Sequence, residues 1–190
     1  MNIKQKKIIE NYSEMHTHTF SKLKNSGKIE KYSKLLLNCI NKKKTIFVCG
    51  NGGSAANSIH IASDLSTILL DNKKRINCHS FNANLSELTC IANDIGYESI
   101  FSEQLKAHGK KGDILIALSG SGNSKNIINA LKLAKKMKIN TIGILGFNGG
   151  KAKLLCNFLI NLKINDMEVS EDFQLIIHHI SKKLLLDKSL

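Results

Sequence analysis

Two short segments of small polar residues each join a predicted strand to a predicted helix. The first is Cys49-Gly50-Asn51-Gly52-Gly53-Ser54, and the second is Ser119-Gly120-Ser121-Gly122-Asn123-Ser124. Glycines let the backbone come close to a ligand, and the first N–H groups of a helix have no partner within it. These free donors and the helix dipole together bind anions, phosphate above all. The three serine hydroxyls of the second segment add further donors, so we expect a phosphate site there.

The two segments differ from the known nucleotide-binding loops. Neither contains the G-x-G-x-x-G dinucleotide fingerprint or the G-x-x-x-x-G-K-[ST] pattern of the P-loop. A cradle of hydroxyls without a lysine or a magnesium-binding aspartate suits a phosphomonoester better than a nucleoside triphosphate. A glycine-rich turn alone is more often only a turn, but two of them at the same sheet edge point to a ligand. The sequence therefore predicts a sugar-phosphate site and no nucleotide cofactor.

Candidate acid–base groups follow on two predicted helices. His60 and Asp64 are four residues apart and share a helix face, as do Gln174, His178 and Lys182 at i, i+4 and i+8. If the two faces meet across a subunit junction, four of these side chains would form either a mixed nitrogen and oxygen metal site or an acid–base pair. They are His60, Asp64, Gln174 and His178. A His–Asp pair at this spacing is also common on ordinary exposed helices, so the upstream loops carry much of the argument.

These segments need a framework that brings them together. Short apolar runs at 45–49, 76–81, 113–119, 141–147 and 158–164 alternate with helical patterns at 54–69, 85–92, 98–107, 123–137 and 170–187. This alternation predicts an α/β fold of three layers with a doubly wound, five-stranded parallel sheet. In the flavodoxin-like strand order 2-1-3-4-5, ligands bind where strands 1 and 3 diverge, and the two loops follow those strands. Ser170 is the expected N-cap of the last helix.

The remaining sequence predicts one domain over 1–190. Residues 1–43 read as two helices separated at 25–27, and 44–190 read as the sugar-phosphate-binding core. Appended helices of this kind are often subunit contacts. Five cysteines (Cys39, Cys49, Cys78, Cys90, Cys156) without C-x-x-C spacing argue against a disulfide framework and against a thiolate zinc site.

The formal net charge of +13 is the most conspicuous property of the composition. The lysines are scattered over helix ends and polar faces, and no stretch alternates aromatic with basic residues, so we expect no specific nucleic-acid partner. No apolar run approaches the roughly 20 residues that cross a bilayer, and the first residues lack the pattern of a signal peptide. We therefore expect a cytoplasmic protein without membrane contact.

Four segments carry a resemblance to a known family: CGNGGSAANSIHIASDL, CIANDIGYESIFSEQL, GDILIALSGSGNS and EDFQLIIHHI. They resemble the SIS (sugar isomerase) fold and, within it, the phosphoheptose isomerase family, over essentially the whole chain. The resemblance implies conversion of sedoheptulose 7-phosphate to D-glycero-D-manno-heptose 7-phosphate, for lipopolysaccharide or capsule. It implies a homotetramer with active sites at subunit junctions, and some members carry zinc.

The resemblance also assigns residues. Asn51, Gly52, Gly53, Asn93, Asp94 and Gln174 would contact the sugar, and Ser119, Gly120, Ser121 and Ser124 would hold the phosphate. Asp64 and His178 would be the catalytic pair, and zinc would bind His60, Asp64, Gln174 and His178. The sequence departs from the family pattern in two places: the catalytic Glu of the family falls on Asp64, and its catalytic His falls on Lys182. His178 shares the face of Gln174, and His179 is the alternative.

Two other functions compete with the isomerase. Gly53-Ser54-Ala55-Ala56-Asn57 also resembles the DnaA initiator-associating protein, a tetrameric, non-catalytic SIS relative that binds the replication initiator DnaA. That relative lacks the catalytic carboxylate, whereas Asp64 keeps one here. A sugar-phosphate-sensing regulator would need a DNA-binding segment, and residues 1–43 are too short and too apolar for one.

Overall fold

The computed structural model describes residues 1–70 and 74–187. The helices are α1 (Ile3–Lys24), α2 (Lys28–Asn41), α3 (Gly53–Thr67), α4 (Leu85–Asp94), α5 (Ile100–His108), α6 (Lys125–Lys136) and α7 (Met167–Leu186). The strands are β1 (Ile46–Cys49), β2 (Leu69–Leu70), β3 (Lys74–Arg75), β4 (Cys78–Ser80), β5 (Ile114–Ser119), β6 (Asn140–Leu145) and β7 (Phe158–Asn161). Short 3₁₀ helices cover Tyr97–Ser99 and Ala152–Leu155.

Five strands form one parallel sheet in the order β4-β1-β5-β6-β7. Counted along the sheet-forming strands, this is the predicted order 2-1-3-4-5, so the predicted fold class is confirmed. The central strands β1 and β5 are buried at every residue, which explains why their sequences read as continuous apolar runs instead of an alternating pattern. The predicted strands were a few residues too long at most of their ends.

Two hydrophobic cores lie on opposite faces of the sheet. Along β1, Ile46 and Val48 pack into one core, and Phe47 and Cys49 pack into the other. The first core contains the apolar faces of α2, α3 and α7, and the second contains those of α5 and α6. The molecule therefore has the three layers that the sequence predicts. This arrangement brings α3 and α7 side by side on one face, which matters for the site below.

The two N-terminal helices differ in their packing. α2 buries Tyr32 and Leu36 completely against the sheet and α7. α1 leaves Ile8, Ile9 and Phe20 exposed, and it contacts α7 through Tyr12 and His16, which both bond to Asp172. The apolar surface of α1 is the part of this pair that suits a contact with another chain.

Three details differ from the prediction. α7 begins at Met167, and its N-cap is Asp166, whose carboxylate accepts the N–H of Val169 at 2.9 Å. Ser170 lies inside the first turn and donates its hydroxyl to the carbonyl of Asp166, so Ser170 is not the cap. The antiparallel pair β2–β3 was not predicted, since each strand is only two residues long.

In the described ranges, no helix combines the length and apolarity needed to cross a membrane.

Candidate active site

The first loop, residues 50–54, connects β1 to α3 and is shaped by glycine. A Cβ atom on Gly50 would lie 2.4 Å from the carbonyl oxygen of Ser54, so a larger residue does not fit. Gly52 has φ +57° and is the N-cap of α3, but it has no side chain that could cap the helix. Instead, the carboxylate of Glu171 from α7 accepts the N–H of Ser54 at 3.1 Å. The N-terminus of α3 is therefore already bound to an internal anion.

The phosphate loop, residues 119–124, connects β5 to α6. The buried hydroxyl of Ser119 accepts the N–H of Gly122 at 3.0 Å, and the hydroxyl of Ser121 accepts the N–H of Asn123 at 3.2 Å. Gly122 has φ +66°, and a Cβ there would meet the carbonyl of Gly149 at 2.2 Å, so only glycine fits. Ser124 is the N-cap of α6, but its hydroxyl makes no capping bond to the helix. The free hydroxyl and the positive helix end are available to an anion.

A pair of asparagines joins the two loops. The amide of Asn51 donates to Asn126 Oδ1 at 2.9 Å, and the amide of Asn126 donates to Asn51 Oδ1 at 2.9 Å. Tyr97 adds a third bond, from its hydroxyl to Asn51 Oδ1 at 3.0 Å. Asn126 is buried in the first turn of α6. This reciprocal pair fixes the distance between the first loop and the phosphate loop.

Helix α7 starts against both loops. A Cβ on Gly120 would lie 2.1 Å from Met167 Sδ, and a Cβ on Gly53 would lie 2.0 Å from Glu171 Oε2. One turn later, Gln174 is completely buried, donates to Ser54 Oγ at 3.0 Å and accepts from Asn57 Nδ2 at 3.0 Å. Both polar ends of Gln174 are thus bonded to α3. Gln174 therefore joins α7 to α3 next to the two loops.

Further along the same two helices, Asp64 is surrounded by nitrogen atoms. Lys182 Nζ lies 2.9 Å from Oδ1, and His178 Nε2 lies 3.2 Å from Oδ2. His60 Nε2 and His179 Nε2 lie 3.6 and 4.0 Å from Oδ2. We call these five residues the Asp64 cluster. The structure brings His60, Asp64 and His178 together within one chain, whereas the sequence analysis considered a meeting of the two helix faces across a subunit junction. Gln174 lies one to two turns away.

The protonation states in the Asp64 cluster follow from burial and charge. Partial burial raises the pKa of Asp64, but the hydrogen bond and charge of Lys182 outweigh burial, so the pKa lies below its ordinary value. His178 is completely buried, and burial lowers its pKa to about 4 against the opposing effect of Asp64. At neutral pH, Asp64 is ionised and His178 is neutral, with its Nε2–H donated to the carboxylate. Among the described residues, His178 Nδ1 has no hydrogen-bond partner.

Three donors of the cluster have the spacing of a metal site. His60, Asp64 and His179 each offer one ligand atom, all within 4.8 Å of one another, and the two Nε2 atoms are 3.2 Å apart. Ligands of a tetrahedral zinc ion are separated by about 3.4 Å, given metal–ligand distances near 2.1 Å. The measured separations of 3.2, 3.6 and 4.0 Å are compatible with that geometry. The donor set fits zinc, but His178 and Lys182 already bond the two carboxylate oxygens.

Asn93 and Asp94 end helix α4 on the surface. Asn93 donates to Asp94 at 2.8 Å, and the thiol of Cys90 donates to Asp94 at 3.3 Å. These two bonds hold the pKa of Asp94 below its ordinary value. Within the described residues, neither side chain bonds to the two loops, although Tyr97 shortly after them does. Their contact with the sugar stays a prediction.

Sequence reasoning missed two residues of this region, Asn126 and Glu171. It placed Lys182 on the helix face of Gln174 and His178 without giving it a role in the site. Asn126 and Glu171 make the bonds that join or cap the loops, and Lys182 holds Asp64. Asn126 lies among the residues that α6 buries, and no local pattern marks it as part of a site. Glu171 lies near the start of its own helix, and nothing local shows that it reaches α3.

With this geometry established, comparisons with known proteins identify the family. The SIS domain family model matches residues 11–146. A phosphoheptose isomerase of Clostridium acetobutylicum is 42% identical over 137 residues, which are 72% of this chain and 70% of that protein. A phosphoheptose isomerase of Campylobacter concisus is 35% identical over 179 residues, covering 92% and 94% of the two chains.

The solved structures agree with this assignment. The phosphoheptose isomerase of Neisseria gonorrhoeae superposes with a TM-score of 0.86 at 26% identity, over 95% of this chain and 97% of that one. The enzyme of Francisella tularensis has the same fold, with a TM-score of 0.89 at 23% identity over 99% and 100%. The fold and the two loops define a domain of the SIS class. By sequence identity over most of its length, the chain belongs to the phosphoheptose isomerase family.

Proposed function

We propose that this protein is the aldose–ketose isomerase that converts sedoheptulose 7-phosphate to D-glycero-D-manno-heptose 7-phosphate, for the heptose of lipopolysaccharide or capsule. The observation that carries the proposal is the hydrogen-bonded pair Asn51–Asn126, which couples a glycine-rich loop to a serine-rich phosphate loop at the switch point of the sheet. Membership of the phosphoheptose isomerase family gives the substrate. We also infer a cytoplasmic location, where sugar phosphates of this kind are made.

The phosphate would bind at residues 119–124 through neutral groups. The hydroxyl of Ser124, which makes no capping bond, and the N-terminus of α6 supply donors without a fixed cation. Ser119 and Ser121 already accept backbone N–H groups, so their hydroxyl hydrogens are free to point to phosphate oxygens. Gly120 lets the backbone approach the ligand. Asn51, Gly52 and Gly53 would face the sugar chain, together with Asn93 and Asp94.

The reaction moves one proton from C1 of the ketose to C2 and one between the two oxygens. A base removes the C1 proton to give an enediol, and the proton returns to C2 of the aldose. Asp64, ionised at neutral pH and held by Lys182 and His178, would serve as this base. His178 is fully buried, so its role would be to orient Asp64 through Nε2. The exposed histidines of the cluster, His60 and His179, would pass the proton between O1 and O2.

We infer that one chain does not bring the phosphate loop and Asp64 within reach of the same substrate. Met167 packs on Gly120 at the start of α7, and His178 lies eleven residues further along that helix, about 16 Å at 1.5 Å per residue. A seven-carbon sugar phosphate is about 10 Å long when extended, from its C–C bond lengths. This mismatch supports an assembly in which one chain supplies the phosphate loop and a neighbour supplies the Asp64 cluster. We propose the homotetramer that the family resemblance implies.

His60, Asp64 and His179 are the three donors whose spacing suits the metal that some family members carry, and any metal held there would share the Asp64 carboxylate with Lys182. A bound zinc ion would act as a Lewis acid on the substrate oxygens. In an assembly, Gln174 and His178 would be the further ligands that the family pattern suggests. In the single chain, Gln174 is bonded to Ser54 and Asn57, and His178 supports Asp64.

The proposed function is tested by incubating the purified protein with sedoheptulose 7-phosphate and following the aldoheptose phosphate by NMR. We expect turnover by the wild-type protein and a loss of at least about 100-fold in kcat for Asp64→Asn, which keeps the shape but removes the base. Lack of turnover by the wild type, together with tight binding to DnaA, would favour the non-catalytic alternative. Full activity of Asp64→Asn would exclude Asp64 as the base.

A further inference from the structure

Lys182 has a position in the Asp64 cluster that its neighbours on α7 do not share. Its Nζ lies 2.9 Å from Asp64 Oδ1, on the opposite side of the carboxylate from the histidines, which all approach Oδ2. Both side chains are only about one quarter exposed, so water screens this ion pair less than a surface pair. The carboxylate is thereby held at both oxygens by groups of this chain.

A metal ion and this ammonium would compete for the same carboxylate. The donors that fit a metal, His60 Nε2, His179 Nε2 and Asp64 Oδ2, surround a point next to Oδ2. Lys182 on Oδ1 would then stand about 5 Å from a dication, since it bonds the other oxygen of one carboxylate. Like charges at that distance repel appreciably even in water, and the ammonium has already neutralised the one anionic ligand.

We propose that Lys182 is a positioning residue, which holds the Asp64 carboxylate in place without a metal and keeps the metal affinity of the His60–Asp64–His179 set low. This inference rests on the proposed function in one respect, that Asp64 is the base. It goes beyond that function because the ammonium group of Lys182, and not a metal ion, would be the cation paired with Asp64. A chain with histidine at this position would instead add a nitrogen ligand and lack the fixed charge.

Zinc affinity of the whole protein tests the proposal without any substrate. Zn²⁺ binding is measured by competition with a chromophoric chelator for the wild type, Lys182→Met, Lys182→Gln and Lys182→His. The matched control is Lys183→Met, which removes the same charge from the exposed neighbouring position. We expect Lys182→Met and Lys182→Gln to bind zinc at least about tenfold more tightly than the wild type, given the repulsion removed. Lys182→His should bind more tightly still, and Lys183→Met should change affinity less than twofold.

A second readout separates positioning from a structural role. In chelator-treated buffer, the wild type should keep its full turnover, and Lys182→Met should lose most of its kcat and regain part of it on adding Zn²⁺. The proposal is overturned if both Lys182→Met and Lys182→Gln, folded by circular dichroism, bind zinc no more tightly than Lys183→Met. It is equally overturned if the wild type is inactive with chelator and active with zinc. Absence of turnover in every condition would refute the proposed function alone, because the affinity comparison does not depend on it.

Discussion

The asparagine pair that joins the two loops gives a quantitative test of the site. Two amide–amide bonds of 2.9 Å link Asn51 and Asn126, and Asn126 Oδ1 also accepts the N–H of Ile127. Each neutral hydrogen bond contributes about 1 kcal/mol net, and an unsatisfied buried amide costs about 1–3 kcal/mol. Asn126→Ala should therefore lower the free energy of unfolding by about 2–3 kcal/mol. Asn51→Ala should cost about 2 kcal/mol, because it leaves the buried Asn126 amide without its partner.

A double-mutant cycle isolates the pair from the other contacts. Since both bonds are lost in either single variant, the double variant should be more stable than the sum predicts, with a coupling energy of about 1.5 kcal/mol. The measurement is equilibrium unfolding in urea for the wild type, both single variants and the double variant. Tyr97→Phe serves as the control, because it removes only the third bond to Asn51. Additive effects, with a coupling energy below about 0.3 kcal/mol, would show that the bridge does not hold the loops together.

Three further predictions concern the loops and the cluster. Ser124→Ala should raise KM for the sugar phosphate about tenfold with little change in kcat, because one donor to the phosphate is lost. Stability should change little, because this hydroxyl makes no capping bond to the helix. Steady-state kinetics measure the effect, and an unchanged KM would contradict the proposed contact. Gly50→Ala should destabilise the protein by about 2 kcal/mol in urea unfolding, because the new Cβ would lie 2.4 Å from the backbone of Ser54; unchanged stability would contradict the loop geometry. Burial lowers the pKa of His178 to about 4 in the folded protein, from 6.5 for a free histidine. As the pH drops from 6.5 towards 4, the unfolded state therefore binds a proton that the folded state does not, and the protein becomes less stable. Between pH 7.5 and 4.5, with chelator present, the wild type should lose about 2.5 kcal/mol more than the non-titrating His178→Gln; equal losses would refute the buried neutral imidazole.

The strands and the two loops could be located from the sequence because both depend on local signals, and the strand order then followed from the doubly wound fold class. Apolar runs such as 114–118 indicate strands covered on both faces, and glycine and serine after them indicate turns that start helices. The predicted start of α7 was less accurate. Asp166 and Ser170 are both good caps, and only the helix packing against Gly120 decides for Asp166.

The net charge was less informative about the site than the sequences of the two loops. The charge of +13 suggested anionic partners, yet the phosphate loop is built from neutral serines and glycines, with Lys125 exposed at its edge. We expect backbone and hydroxyl donors to bind an anion there, and the position of these donors depends on the fold and not on the net charge.

The sequence by itself determined the fold class and the family, since these depend on periodicity and on short motifs. The tertiary structure alone decided which partners those residues have. Helices α3 and α7 run side by side although about a hundred residues of sequence separate them. This packing places Lys182 and His178 on Asp64, and Glu171 on the start of α3. No local pattern encodes such contacts, because they depend on how two helices pack on the same sheet face.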